Sequence, residues 1–185
     1  MVLEYKGYLI TGNEGDSFDY IIRNGLLKAK REVWITSAKT GDFSIVNTRT
    51  NEAESITSRI YKMQEQGIKF RILLAPQEQK KQYQRAQTFY QKLSDLSNVE
   101  FHFCYNMHMK IVLIDDAWLY FGSANFTGAG LGSRTREGRN NFEIGSITVD
   151  KEVIREVEDL LNNIWNGQHC VNCYQKQKGY CQGIE

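Results

Sequence analysis

The feature of this chain that most restricts its fold is an alternation of two hydrophobic periods. Short runs rich in β-branched and aromatic residues give way to longer segments whose apolar positions recur every three or four residues. The pattern predicts strands over Glu4 to Thr11, Val33 to Ser37, Lys69 to Ala75, Val99 to Phe103, Met109 to Asp115, Trp118 to Phe121 and Asn141 to Val149. Between them it predicts helices. The first is capped by Asp16 or Ser17 and carries Phe18, Ile21, Ile22, Leu26 and Ala29 on its stripe; the second covers Asn51 to Gln66, with Ala53, Ile56, Ile60 and Met63. A third covers Lys80 to Asp95, and a fourth runs from Asp150 to Trp165 with Val153, Val157, Leu160 and Ile164. Some strands are separated by helices and others follow one another directly. The expected fold is therefore α/β, a mixed β-sheet sandwiched between helices on both faces.

Composition narrows the function classes. With 23 Lys+Arg against 22 Asp+Glu the formal net charge is +1, which excludes a wholly basic nucleic-acid coat but allows a local basic patch. No run reaches the about 18 apolar residues of a membrane span, and one Pro with 15 Gly excludes collagen-like sequence. The opening Met1-Val2-Leu3-Glu4-Tyr5-Lys6 lacks the basic and apolar regions of a secretory leader. A cytoplasmic location is expected, where four Cys are thiols or metal ligands rather than disulfides.

Chemistry concentrates in His108-Met109-Lys110 and the Gly122-Ser123-Ala124-Asn125 that follows. On a strand, His108 and Lys110 share a face and Asp115 points to the other. A neutral imidazole is a nucleophile near neutral pH, and an adjacent ammonium stabilises the charge that builds on phosphoryl oxygens. Ser123 and Asn125 supply a hydroxyl and an amide, while Gly122 permits close backbone approach to a ligand. Asp115 reads as an anchor for local backbone rather than an acid or base.

Together, His108, Lys110, Asp115, Gly122, Ser123 and Asn125 match His-x-Lys-x4-Asp-x6-Gly-Ser-x-Asn, which resembles the HKD signature of the phospholipase D superfamily. The resemblance implies a phospholipase D-like domain over residues 1–167 and a metal-independent phosphodiesterase. It also implies that Asn141-Phe142-Glu143 is the carboxylate-bearing element after the motif, with Glu143 orienting the histidine. Members with two motifs supply two histidines from one chain. Here only His108, of His102, His108 and His169, has Lys two places on. The chain is thus similar to the single-motif endonucleases that pair two subunits, and the expected partner is a second copy forming a homodimer with one composite site. In that scheme one His108 becomes a phosphohistidine, the other acts as acid and then base, and Lys110, Asn125 and Ser123 hold the phosphoryl oxygens.

The motif does not choose among lipid, DNA and RNA. Arg134, Arg136 and Arg139 form a Gly-flanked basic stretch between Asn125 and Glu143, suited to a phosphate backbone. Lys80, Lys81 and Arg85 form a second basic cluster. An endonuclease on nucleic acid is the favoured expectation. A phospholipase D-type lipid hydrolase and a non-catalytic assembly module on the same fold are the alternatives; no basic-flanked amphipathic helix supports stable membrane association. The last segment, 168–185, is polar, lacks a period and holds His169, Cys170, Cys173 and Cys181. Cys-x2-Cys with a third Cys suits a structural zinc site whose fourth ligand is His169 or Cys104; an iron–sulfur cluster through Cys104 is the other option. Neither would take part in catalysis.

Overall fold

A strand that is apolar on both faces demands cover on both, and Val33-Trp34-Ile35 is such a strand. The computed structural model describes residues 2–11, 16–46, 50–76, 84–133 and 140–181. Its strands are β1 (Gly7–Ile10), β2 (Glu32–Ser37), β3 (Ser44–Val46), β4 (Ala53–Ser55), β5 (Lys69–Leu74), β6 (Val99–Phe103), β7 (Ile111–Ile114), β8 (Trp118–Gly122) and β9 (Gly145–Thr148). The helices are α1 (Asp16–Phe18), α2 (Ile56–Glu65), α3 (Gln84–Leu93), α4 (Gly128–Leu131), α5 (Lys151–Trp165) and α6 (Tyr174–Gln177). Seven strands form one sheet in the order β1-β9-β8-β7-β2-β5-β6, and β3 pairs with β4 apart from it.

The sheet is mixed. β2, β5 and β6 run parallel, whereas β7, β8, β9 and β1 join antiparallel from β2 outward. Val33 and Ile35 turn to one face, where they meet Ile56 and Ile60 of α2, Phe89 of α3 and the N-terminal helical turns. Trp34 turns to the other, where Val153, Leu161 and Trp165 of α5 close over Leu113 and Leu119. Helices on both faces are as the sequence predicts.

Several boundaries differ from the periodicity. The helix expected over Asn51 to Gln66 begins only at Ile56, because Ala53 to Ser55 pair with Ser44 to Val46. Ser55 then caps α2, accepting the Ser58 N–H at 3.1 Å. The first helix breaks into α1, a π-helical turn over Asp19–Arg23 and a 3₁₀ turn over Leu26–Lys28, yet Phe18, Ile21, Ile22 and Leu26 are still buried together. On α5 the buried set is Val153, Ile154, Leu161 and Trp165, and Leu160 is exposed. The helix is rotated because Trp165 wedges edge-on to Trp34 at 5.2 Å and stacks on His102 at 3.7 Å. Of the third helix, 80–83 lie outside the described residues, as do Lys80 and Lys81 of the second basic cluster; Arg85 lies exposed on α3.

The hairpin between β7 and β8 turns on Asp115 and Asp116, both left-handed at φ 53° and 54°. Two positive φ values suit a type I′ turn, and Asp tolerates them better than most residues. The Asp115 carboxylate accepts the backbone N–H groups of Lys30, Arg31 and Glu32 at 2.8, 2.7 and 2.9 Å. One side chain thereby ties the β7–β8 turn to the start of β2. Replacing Asp115 by Ala removes the acceptor for three N–H groups and should cost about 2 kcal/mol. A lower urea midpoint with turnover of the remaining folded protein unchanged is the expected result; an unchanged midpoint would remove the anchor.

Candidate active site

His108 and Lys110 stand on the lead-in to β7 rather than on the strand, which starts at Ile111. The cause is local. The Ile111 N–H is taken by the hydroxyl of buried Thr36, at 3.1 Å, so the ladder to β2 ends on a side chain and the chain before it diverges. Alternation survives the divergence. Met107 and Met109 pack into the core under α5, while the side chains of His108 and Lys110 meet. Lys110 Nζ lies 3.0 Å from Nδ1 and 3.3 Å from Nε2 of His108 and donates to the His108 carbonyl at 2.5 Å.

This lysine is only 8% exposed although its partner His108 is exposed. Burial disfavours the ammonium and lowers the Lys110 pKa, and the charge of Glu143 opposes that shift. Glu143 precedes β9, in a segment the sequence assigns to the strand itself. Its Oε2 accepts a hydrogen bond from Ser123 Oγ, and its Oε1 accepts one from Asn141 Nδ2 at 3.1 Å. Ser123 Oγ in turn accepts the Ile144 N–H at 3.0 Å, and Ser123 N–H donates to the Ile144 carbonyl at 2.9 Å. Ser123 thus spends its proton on Glu143; the carboxylate expected to orient His108 is bonded to Ser123 and Asn141 instead, and its charge acts on Lys110.

Asn125 is oriented from the far side. Its Oδ1 accepts the Lys39 N–H at 3.1 Å and lies 3.3 Å from Ser37 Oγ. Ser37, fully buried at the end of β2, also accepts the Phe126 N–H at 3.0 Å. With the carbonyl end of the amide held this way, its NH₂ is the end left to donate to an anion. Phe126 itself is core, edge-on to Phe43 and Phe89. The site collects at the carboxyl ends of β2 and β8 and the amino ends of β7 and β9, and those four neighbouring ends share one edge of the sheet.

Gly122 and Gly145 face one another across β8 and β9. A Cβ on Gly122 would come within 2.5 Å of the Tyr120 hydroxyl, and one on Gly145 would meet the Tyr120 ring. Tyr120 lies across both glycines, and burial pushes its hydroxyl up to about 12. That phenol is a neutral floor to the site.

The sequence places His108, Lys110, Ser123, Asn125 and Glu143 in one constellation, and in the fold they share one edge of the sheet. Asp115 is at the opposite end of β7, bound to the 30–32 backbone. Arg134, Arg136 and Arg139 lie outside the described residues. His102 faces away, stacked on Trp165, and burial lowers its pKa. Thr36, Ser37, Asn141 and Tyr120 escape a reading of the sequence. A Thr-Ser pair closing an apolar strand was their faint signal, without any spacing to link it to the motif.

A family model described as cardiolipin synthase, PLD-like domain, matches residues 22–165. The chain belongs to the phospholipase D-like family. Solved structures agree on the fold of this phospholipase D-like domain. NucT from Helicobacter pylori aligns with TM-score 0.63 and 20% identity, over 86% of this chain and 95% of its own. Nuc from Salmonella typhimurium, a phospholipase D family member, gives TM-score 0.62 and 13% identity over 87% and 95%. Phosphatidylserine synthase from Haemophilus influenzae gives 0.55 and 17%, over 86% of this chain and 38% of that one. No curated protein matches the sequence.

Because burial lowers the Lys110 pKa, its positive charge is lost as pH rises through a value below the ordinary lysine range. Phosphodiesterase turnover should fall along an alkaline limb at that value. Lys110→Arg keeps its charge at any such pH and should flatten the limb, even at lower maximal activity. An identical limb in the arginine variant would take Lys110 out of the chemistry.

Proposed function

We propose that this protein is an endonuclease that cleaves nucleic-acid phosphodiesters through a phosphohistidine, in a site composed of two copies of the chain. The observation that carries the reading is the buried Lys110 ammonium held against the His108 imidazole, with Asn125 and the Ser123–Glu143 pair at the same sheet edge. Such a site offers a nucleophile and a fixed cation but lacks a second imidazole: His102 is stacked on Trp165, and His169 lies in the tail. A proton must nevertheless reach the leaving oxygen. A second subunit supplies it.

In this scheme the His108 ring nitrogen attacks phosphorus and a P–N bond forms as the P–O bond to the leaving nucleoside breaks. The partner subunit's His108 gives its proton to that leaving oxygen. Water then attacks the phosphohistidine, passes a proton to the partner subunit's His108, and the P–N bond breaks to restore the first imidazole. Lys110 and the Asn125 amide stabilise the non-bridging oxygens, a task a metal performs in two-metal nucleases. Glu143, oriented by Ser123 and Asn141, sustains the Lys110 charge against burial. The surface beside Glu143 supports pairing of subunits, since Phe142 is 85% exposed and Ile144 is 56% exposed.

Nucleic acid is favoured over lipid by sequence: Arg134, Arg136 and Arg139 fall between Asn125 and Glu143. Among the described residues no helix is long and apolar enough to cross a membrane.

The test is cleavage of plasmid, single-stranded DNA and RNA in excess chelator, beside a phosphatidyl substrate. Nucleic-acid cleavage should persist with chelator and fall about 10⁴-fold in His108→Ala. Glu143→Gln should lose less, and His102→Ala should keep most activity. Hydrolysis of the phosphatidyl substrate alone would replace the reading with the lipid one, and equal activity in His108→Ala would end it.

The subunit arrangement is checked separately. Light scattering at assay concentration should give twice the chain mass, and Phe142→Asp should lower both dimer content and turnover. An active monomer would contradict the composite site.

A further inference from the structure

The C-terminal tail does not behave like a segment held by a hydrophobic core. Val171 is 78% exposed and Tyr174 and Tyr180 are each 62% exposed. Between residues 168 and 181 only Cys170, Cys173, Gln175 and Cys181 turn away from solvent. The tail presents its sulfurs to the protein and its apolar side chains to water, the reverse of hydrophobic docking.

Those sulfurs meet a fourth. Cys104, between β6 and the loop carrying His108, lines with them a cavity of about 320 Å³ whose walls include Met107, Met109, Leu160 and Ile164. None of the four is in a disulfide. Asn106 reaches one of them: its side-chain amide donates to Cys173 Sγ at 3.6 Å. Gln175 then donates to Asn106 Oδ1 at 3.4 Å. N–H donors aimed at sulfur are the outer support that thiolate ligands use around a metal.

We propose that Cys104, Cys170, Cys173 and Cys181 form a four-thiolate metal centre that staples the tail to the base of the loop bearing His108 and Lys110. Its occupant is a thiophilic metal, held as one zinc ion or one iron–sulfur cluster, the two species that a set of four sulfurs selects. As placed, no group of three His, Cys, Asp or Glu among the described residues would hold an ion. The proposed centre thus requires the four sulfurs to draw together on binding, with each thiol proton passing to solvent. His169 lines the same cavity, but its ring is exposed and its neighbour Cys170 is the residue turned inward. The sequence alone leaves His169 and Cys104 as rival fourth ligands; the fold favours Cys104. Met107 and Met109 face this cavity while His108 and Lys110 face the active site, so the centre backs the loop without touching the reacting atoms.

The whole chain, expressed in a reducing cytosol and purified without oxygen, is analysed for zinc, iron and acid-labile sulfide. About one zinc per chain without colour identifies the ion, whereas iron with matching sulfide and visible absorption identifies the cluster; either supports the centre. Cys104→Ser should lose the metal as completely as Cys173→Ser, and His169→Ala should keep it. An unfolded variant would also lose metal, so the unaltered chain gives a second readout. Its four thiols should resist alkylation until chelator is added, together with an oxidant in the cluster case. Metal below about a tenth of an ion per chain, thiols alkylated equally fast with and without chelator, a disulfide among the four, or full metal content in Cys104→Ser would each overturn the proposal.

Discussion

Trp34 is paired with Arg71 on one side, in parallel, and with Leu113 on the other, antiparallel. The groups of the candidate site take their place from that change of direction at β2. Had β7 joined β2 in parallel, the lead-in bearing His108 and Lys110 would sit at the opposite edge from Ser37. Because β7, β8 and β9 alternate, Lys110, Ser123 and Glu143 instead return to the end where β2 finishes. The Asp115 carboxylate secures the arrangement from the far edge by holding the β7–β8 turn against residues 30–32.

Burial supplies the chemistry at that edge. An ammonium only 8% exposed is costly to keep charged, and the charge of Glu143 opposes part of that cost. The carboxylate is itself placed by Ser123 and Asn141, while the Ser123 backbone is locked to Ile144. Counter-charge and amide donor are thus positioned by hydrogen bonds from uncharged groups before any substrate arrives. Such preorganisation is what makes fixed charge effective in stabilising a transition state. Tyr120 lies across Gly122 and Gly145, where a Cβ at either position would collide with its hydroxyl or ring.

The same loop has two faces with different duties. His108 and Lys110 look toward the candidate site, and Met107 and Met109 look toward the thiol-lined cavity below α5. A tail with exposed Val171 and Tyr174 gains little from burial, so whatever orders it must act through its inward-turned residues. The proposed centre gives those four cysteines a single task, next to the loop but outside the reaction.

Much of this was legible in the chain itself. Alternating periods reveal strands and helices because a side chain's direction follows from its position on a strand or helix, whatever lies beyond. The motif from His108 to Asn125 is equally legible, since its spacing crosses a single hairpin and local geometry carries it. Element ends were less so: Ala53 to Ser55 leave the helical pattern only because Ser44 to Val46 lie alongside, a pairing that no local window contains. Ser37 and Thr36 became parts of the site through bonds to Phe126, 89 positions away, and to Ile111, 75 away. Cys104 was separated from Cys170 by three strands, β7 to β9, and by α4 and α5 until the sheet closed. By itself the sequence determined which residues hold reactive groups and which hold the core, because those are properties of side chains and their period. Only the tertiary structure decided which of them meet, because strand order and direction are settled by burial on both faces of the sheet at once.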